Sequence, residues 1–314
     1  MGRRSVSART RVWLMVAALA VAAVAATLGV VVLTRDEPAG EAVPPPPLYL
    51  DLGVRNDEQA KTLRRAARLY ADGQLPEAAR LFARYRSPEA LVGAAFASWP
   101  RTLDRLRTLP TGLAVVRLNR GIVHAALGDE DEARAEFRAA TRVQPDTPYA
   151  VKAGDVLHPR FAPGLPAFVP TAPFPNRLDR LSSPEQFAII EREGKAPNAP
   201  VDAVLRYGVA LQRLGRPLSA RREFERAVRE RRDPETLTAA ALARFDKDRP
   251  ASAFSRLGPL TRRYPAAQTV RFHLGLALLW IGDVADAKRQ LRQAYDGGPQ
   301  TRLGMEAKRF LDRL

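Results

Sequence analysis

The chain offers few side chains that could do chemistry. It has three histidines, His124, His158 and His273, and no cysteine. Without a thiol there is no disulfide framework, thiol nucleophile, Cys-ligated zinc or lipidated cysteine. None of the histidines has a second His or a carboxylate at metal-ligand spacing. The acidic run Asp129-Glu130-Asp131-Glu132 lacks the alternating Asp/Asn, central Gly and distal Glu of a calcium loop. It is better suited to a helix N-terminus, where negative charge meets the positive end of the dipole. Asp246-Lys247-Asp248 falls at a comparable turn and reads the same way. No phosphate-cradling Gly loop, no G-x-S-x-G elbow and no paired glutamates with a plausible cleft are present. The sequence therefore predicts a protein that is not an enzyme, with no cofactor and no metal.

The elements that would position a binding surface are clearer, because the chain repeats itself. Gly121, Ala133, Phe137 and Pro145 are separated by 12, 4 and 8 residues; Gly275, Ala287, Leu291 and Pro299 have the same spacing, as do Ala241, Ala253, Leu257 and Pro265. Gly208-Ala220-Phe224 and Ala66-Ala78-Phe82 match the first two intervals. Leu127-Gly128-Asp129, Leu214-Gly215-Arg216 and Ile281-Gly282-Asp283 each end an apolar helical run. A second helix follows each, after a glycine that takes positive φ without a Cβ penalty.

These signposts resemble the tetratricopeptide repeat, a helical hairpin of about 34 residues. Strong units are expected at about 114–146, 201–233 and 268–299, with degenerate ones at 57–86 and 235–265. Ser87-Pro88 and Trp99-Pro100 would open a short hairpin over 88–109. Thr147-Pro148 would open a helix to Leu157, and the box Ser183-Pro184-Glu185-Gln186 another to about Glu193. These last two read as one repeat split by an insertion at 158–182, which holds six prolines among Phe161, Phe168 and Phe174. Those aromatics predict a segment ordered against the repeats, meeting Tyr70, Leu118 or Phe245 as a built-in peptide or partial plug; the competing reading is a flexible connector between two half-solenoids. A terminal helix carrying Leu303, Ala307, Phe310, Leu311 and Leu314 on one face would cap the stack.

The resemblance implies that the first helix of each hairpin lines a groove for extended peptides or helices of protein partners. Carried onto this chain, the groove would include Leu63, Tyr70, Leu118, Asn119 and Ile122. It would continue through Asp202, Arg206, Val209, Gln212 and Arg213, then Leu242 and Phe245. Phe272, His273, Leu276 and Trp280 would complete it. His124 stands where the repeat often carries Tyr and reads as a packing residue. The Lys/Asn clamp of chaperone-binding relatives is absent, its places holding Leu63, Ala67, Leu118, Ile122, Leu205 and Val209. The groove is thus expected to be apolar with scattered arginines, suited to an amphipathic or acidic partner.

Val12 to Thr34 is an uncharged run of 23 residues, long enough at ~1.5 Å per residue for the ~30 Å bilayer core. Arg3, Arg4, Arg9 and Arg11 precede it, and Asp36, Glu37 and Glu41 follow Arg35. The positive flank predicts a cytoplasmic N-terminus and an extracytoplasmic body. A cleaved secretory signal is the competing reading, since small residues surround Ala25. The predicted layout is a basic tail at 1–11, a transmembrane helix at 12–34 and a Pro-rich tether at 35–56. Repeats follow at 57–157, then the insertion at 158–182, then repeats and capping helix at 183–314. The fold class is an all-α tetratricopeptide-like solenoid behind one transmembrane helix.

The net charge of +16 comes from 50 basic and 34 acidic residues, and only six of the basic ones are Lys. Such Arg and Ala bias is compositional, so nucleic acid is not an expected partner. The functional expectation is a membrane-anchored, single-pass scaffold of the bacterial cell envelope that binds protein or peptide partners. One alternative is an assembly factor of an envelope or cytochrome c maturation machine, by architectural analogy. The other is an anionic-polymer binder using Arg221, Arg222, Arg226, Arg229, Arg231 and Arg232. Protease added to intact cells is expected to digest the chain beyond residue 35. Protection of that region would reverse the topology, and a mature N-terminus near residue 27 would replace the anchor with a cleaved signal.

Overall fold

The structure, a computed structural model, describes residues 44–314. The tail at 1–11, the transmembrane helix at 12–34 and the first part of the tether lie outside the described residues. Among the described residues, no helix is long and apolar enough to cross a membrane, and all regular structure is helical.

Two compact units divide at Leu157/His158. In the first, α1 (Glu58–Ala71) pairs with α2 (Leu75–Phe82). The short helices α3 (Pro88–Phe96) and α4 (Thr102–Arg107) follow, then the hairpin of α5 (Ala114–Leu127) and α6 (Glu130–Val143). α7 (Pro148–Leu157) packs on α6 and α5. The second unit opens with a segment whose only regular structure is a 3₁₀ turn at Asn176–Leu178, and continues as α8 (Ser183–Lys195), α9 (Val201–Arg213), α10 (Pro217–Glu230) and α11 (Pro234–Leu242). It closes with α12 (Ala251–Arg263), α13 (Gln268–Trp280), α14 (Val284–Asp296) and α15 (Arg302–Leu311). The helices at 148–157 and 183–195, expected to share one split repeat, belong to different units, where each packs on its own neighbours.

The repeat register has a direct steric basis. A Cβ on Gly208 would lie 2.4 Å from the ring of Phe224, and one on Gly121 2.6 Å from Phe137. At Gly275 the clash would be with Leu291, at 2.8 Å. The large residue of the second helix therefore rests on the small residue of its own hairpin, filling the space within the pair. Phe82 does reach forward to the next hairpin, where a Cβ on Gly93 would stand 2.3 Å from its ring. Ala66, Ala78, Ala133, Ala220, Ala253 and Ala287 are all buried where helices meet.

The ends of the helices follow the expected chemistry. Gly128, at φ +84, and Gly282, at φ +81, adopt the left-handed turn that a Cβ would penalise. Ser87, Asp233 and Thr301 accept from the backbone N–H groups of Ala90, Thr236 and Gly304. The capping box before α8 is set one residue earlier than expected. Ser182 is the cap and Glu185 stands three residues on, bonding back to its N–H at 2.8 Å. The expected pair, Ser183 and Gln186, has the same three-residue spacing, but Gln186 donates instead to the carbonyl of Leu181 at 3.0 Å. In α15, Leu303 and Ala307 are buried while Phe310 meets Phe272 at 6.2 Å, so this helix covers the apolar end of the last hairpin.

The tether expected at 35–56 is part of the fold over its second half. Pro46 is buried, and Leu48, Tyr49, Leu50 and Leu52 pack against the core of the first unit.

Replacing Ala220 or Ala287 with Leu is expected to lower the stability of the purified full chain by about 1–3 kcal/mol through overpacking. Arg229→Ala, at an exposed position of α10, is expected to change it by less than about 0.5 kcal/mol. Chemical denaturation followed by circular dichroism measures both. Equal losses at all three positions would overturn the hairpin register.

Candidate functional site

Each unit holds a stretch of its own chain, free of α-helix, against its first helices, and polar side chains bind the main chain of that stretch. In the first unit the stretch is 46–52. Asn119, fully buried on α5, makes a two-way contact with one residue: Oδ1 accepts from the N–H of Tyr49 at 3.0 Å, and Nδ2 donates to its carbonyl at 2.9 Å. Nδ2 also reaches the carbonyl of Val115 at 2.8 Å, which fixes the amide within the helix. The hydroxyl of Tyr149 on α7 accepts from the N–H of Asp51 and donates to its carbonyl. Tyr70 on α1 donates to the carbonyl of Pro46. The Tyr49 ring packs edge-on against Tyr149 at 5.9 Å, with the Lys152 ammonium 5.8 Å from its centre. Burial raises both tyrosine hydroxyls well above their ordinary pKa and lowers that of Lys152.

In the second unit the stretch is 162–174, within the insertion expected at 158–182. Ala162 donates to the carbonyl of Trp280 at 3.0 Å, and its own carbonyl accepts from the Lys247 ammonium at 2.8 Å. The Trp280 indole donates to the carbonyl of Gly164. Phe168 donates through its N–H to Gln212 Oε1 at 2.9 Å, and Val169 donates to His273 Nε2 at 2.8 Å. Arg302 donates to the carbonyls of Pro170 and Ala172, both at 3.0 Å, while Glu235 accepts from the N–H and hydroxyl of Thr171. The Phe168 ring is 1% exposed, stacked on His273 at 4.6 Å and edge-on to Phe224 at 5.6 Å. Farther along, the guanidinium of Arg213 lies 4.9 Å from the centre of the Phe174 ring.

His273 is wholly buried. Its Nδ1 lies 2.7 Å from the carbonyl of Thr269, so that nitrogen carries the proton and Nε2 is the acceptor for Val169. Burial lowers its pKa to about 4, partly opposed by the Thr269 carbonyl. The neutral ring is therefore both the stable form and the one able to hold the segment.

The residues expected to line one groove thus divide between the two units. Tyr70 and Asn119 hold the segment of the first. Gln212, His273, Trp280 and Arg213 contact that of the second. Leu63, Leu118, Val209, Leu242, Phe272 and Leu276 are buried in helix packing. Phe245 shares the buried cluster containing Phe168. Ile122 is half-buried, and Asp202 pairs with Arg231 at 3.1 Å. Arg206, Asp202, Leu205 and Glu235 border a slight surface depression beside Pro170 and Ala172.

Tyr149, Glu235, Lys247 and Arg302 were not anticipated as binding residues. Lys247 in particular read as part of an acidic turn at a helix start, yet it is 7% exposed because its ammonium is taken up by the Ala162 carbonyl. Asp248 of the same turn meets His158 Nε2 at 2.7 Å. His124 is buried, with Nδ1 3.2 Å from Asp129.

A histidine that is neutral in the fold and protonates near 6.5 when unfolded makes folding more favourable at high pH. That contribution is full above about pH 6.5 and falls away down to about pH 4, a loss of about 3 kcal/mol. Unfolding free energy measured between pH 7.5 and 4 is expected to show this decline in the wild type and a flatter profile in His273→Gln. The same slope in both proteins would assign the dependence to other groups.

The tetratricopeptide repeat family model matches residues 114–147, the span of α5, α6 and the residues before α7. No curated protein matches the chain significantly. Among solved structures, YrrB, described as a tetratricopeptide repeat protein with an unusual peptide-binding site, is 15% identical, covering 80% of this chain and 92% of its own at a TM-score of 0.28. The C-terminal part of a tetratricopeptide repeat-containing protein from Cytophaga hutchinsonii is 13% identical, covering 78% of this chain and 98% of its own at 0.29. The matched repeat coincides with the hairpin in which Gly121 meets Phe137, so the chain carries a tetratricopeptide repeat at residues 114–147.

Proposed function

We propose that the chain is a non-catalytic scaffold that binds segments of partner proteins on the first-helix faces of its repeats, held at the cell membrane by residues 12–34 with the repeats outside the cytoplasm. The observation that carries the reading is the capture of extended main chain by side chains in both units. Asn119 binds both main-chain groups of one residue, and Gln212 and His273 take successive N–H groups. A surface with that capability is equipped to hold a strand from another protein. The anchor reading rests on the uncharged run at 12–34 and its basic flank.

The anionic-polymer reading loses much of its surface to internal pairing. Arg226 meets Glu223 at 2.9 Å, Arg221 lies 4.0 Å from Glu225, and Arg231 reaches Asp202, Asp233 and Glu235.

A photo-crosslinking residue placed at Arg206, beside the depression on the first-helix side, is expected to trap a discrete protein adduct in native membranes. The same residue at Arg229, on the second helix of that hairpin, is expected to trap none. Equal adducts from both positions, or adducts with anionic polymer alone, would overturn the reading.

A further inference from the structure

The side chains that hold the two internal segments recur at fixed places in the repeat. Asn119 and His273 each stand two residues before the small residue of their first helix, Gly121 and Gly275. Tyr70 and Gln212 each stand four residues after theirs, Ala66 and Gly208. Two units with different sequences thus use equivalent positions on the same class of helix to bind main-chain atoms.

In the second unit the match between segment and site is closest over 168–172. The N–H groups of Phe168, Val169 and Thr171 go to Gln212, His273 and Glu235. Pro170, which has no N–H, stands at the one position between them where none is required. Its carbonyl and that of Ala172 share the Arg302 guanidinium. The site reads extended backbone, with one side-chain slot for a ring between His273 and Phe224. These are the marks of a bound peptide, although the peptide is covalently part of the chain.

We propose that residues 162–174 are a resident occupant of a peptide site. The same site takes, in trans, an extended segment of a partner protein that carries an aromatic residue two positions before a proline. The proposal rests on the protein-binding reading above and specifies its partner and its regulation. A partner must displace the resident strand, so the affinity observed is the intrinsic affinity scaled by the fraction of molecules with the site open. Phe168 sets the largest share of that fraction, because its ring is fully buried in the slot while Leu165, Val169 and Phe174 pack on the core only partly buried.

The probe is a fluorescent synthetic peptide with the sequence of residues 162–175, titrated into the purified full chain. Phe168→Ala is expected to bind it at least tenfold more tightly than the wild type, and a probe with only the phenylalanine corresponding to Phe168 replaced by Ala is expected to lose that gain. Equal affinity of the two proteins, indifference to the ring of the probe, or no binding by a folded Phe168→Ala chain would overturn the proposal. Should Phe168→Ala fail to fold, hydrogen exchange in the wild type decides. The amides of Phe168 and Val169 are expected to exchange at least tenfold faster than the slowest amides of α9, and faster still with probe present. Exchange at the α9 rate, unmoved by the probe, would make the segment a permanent part of the core and sink the proposal. Crosslinking at Arg206 that persists after such a result would leave the scaffold reading standing without this partner chemistry.

Discussion

A missing methyl group governs the packing of three hairpins. At Gly121, Gly208 and Gly275 a first helix comes so near its second that a Cβ would fall 2.4 to 2.8 Å from a side-chain carbon of Phe137, Phe224 or Leu291. That approach sets the spacing of the pair and the plane in which the large residue lies. It also sets which residues are left on the other side of the first helix. Asn119, Gln212 and His273 face the internal segments because the glycines near them fix the rotation of their helices. The helices cannot turn away without driving a Phe or Leu into the backbone.

This explains why so much of the fold was legible and why the occupied site was not. The hairpins follow from local spacing: small, then Ala twelve residues on, then a large apolar residue one turn later. Caps such as Ser87 and Gly128 are equally local, and even the misjudged box at Ser182 was displaced by a single residue. The first-helix positions of Tyr70, Asn119, Gln212 and His273 could be inferred from the repeat. Lys247 and Arg302 could not, since each meets a segment residue from 85 or 130–132 positions away, and no periodic pattern links them to it. Glu235 likewise presents an ordinary first-turn acid in the sequence, and only the fold brings Thr171 to it.

The two proline-rich stretches posed a different difficulty. Pro44 to Pro47 read as a spacer, and the insertion read as an ordered plug on the strength of its aromatic rings. Both are docked over much of their length, for a common reason. Proline restricts φ, so fixing such a chain in an extended form sacrifices less entropy than fixing an ordinary one. A few hydrogen bonds and one aromatic contact, Tyr49 on Tyr149 or Phe168 on His273, then tie the strand to the helices. The ring count was a better guide to docking than the proline count.

The contact between Asn119 and Tyr49 also has a mechanical consequence. Tension drawn along the chain from its N-terminal end meets the Tyr70 bond to the Pro46 carbonyl first, and then the paired bonds of Asn119 to Tyr49. These two bonds share any load. The amide that carries them is itself tied to α5 through Val115, so a pull reaches a first-helix backbone before it reaches the start of α1 at Glu58. The first unit is therefore gripped from within its stack, and its outermost helix is shielded from being peeled away turn by turn.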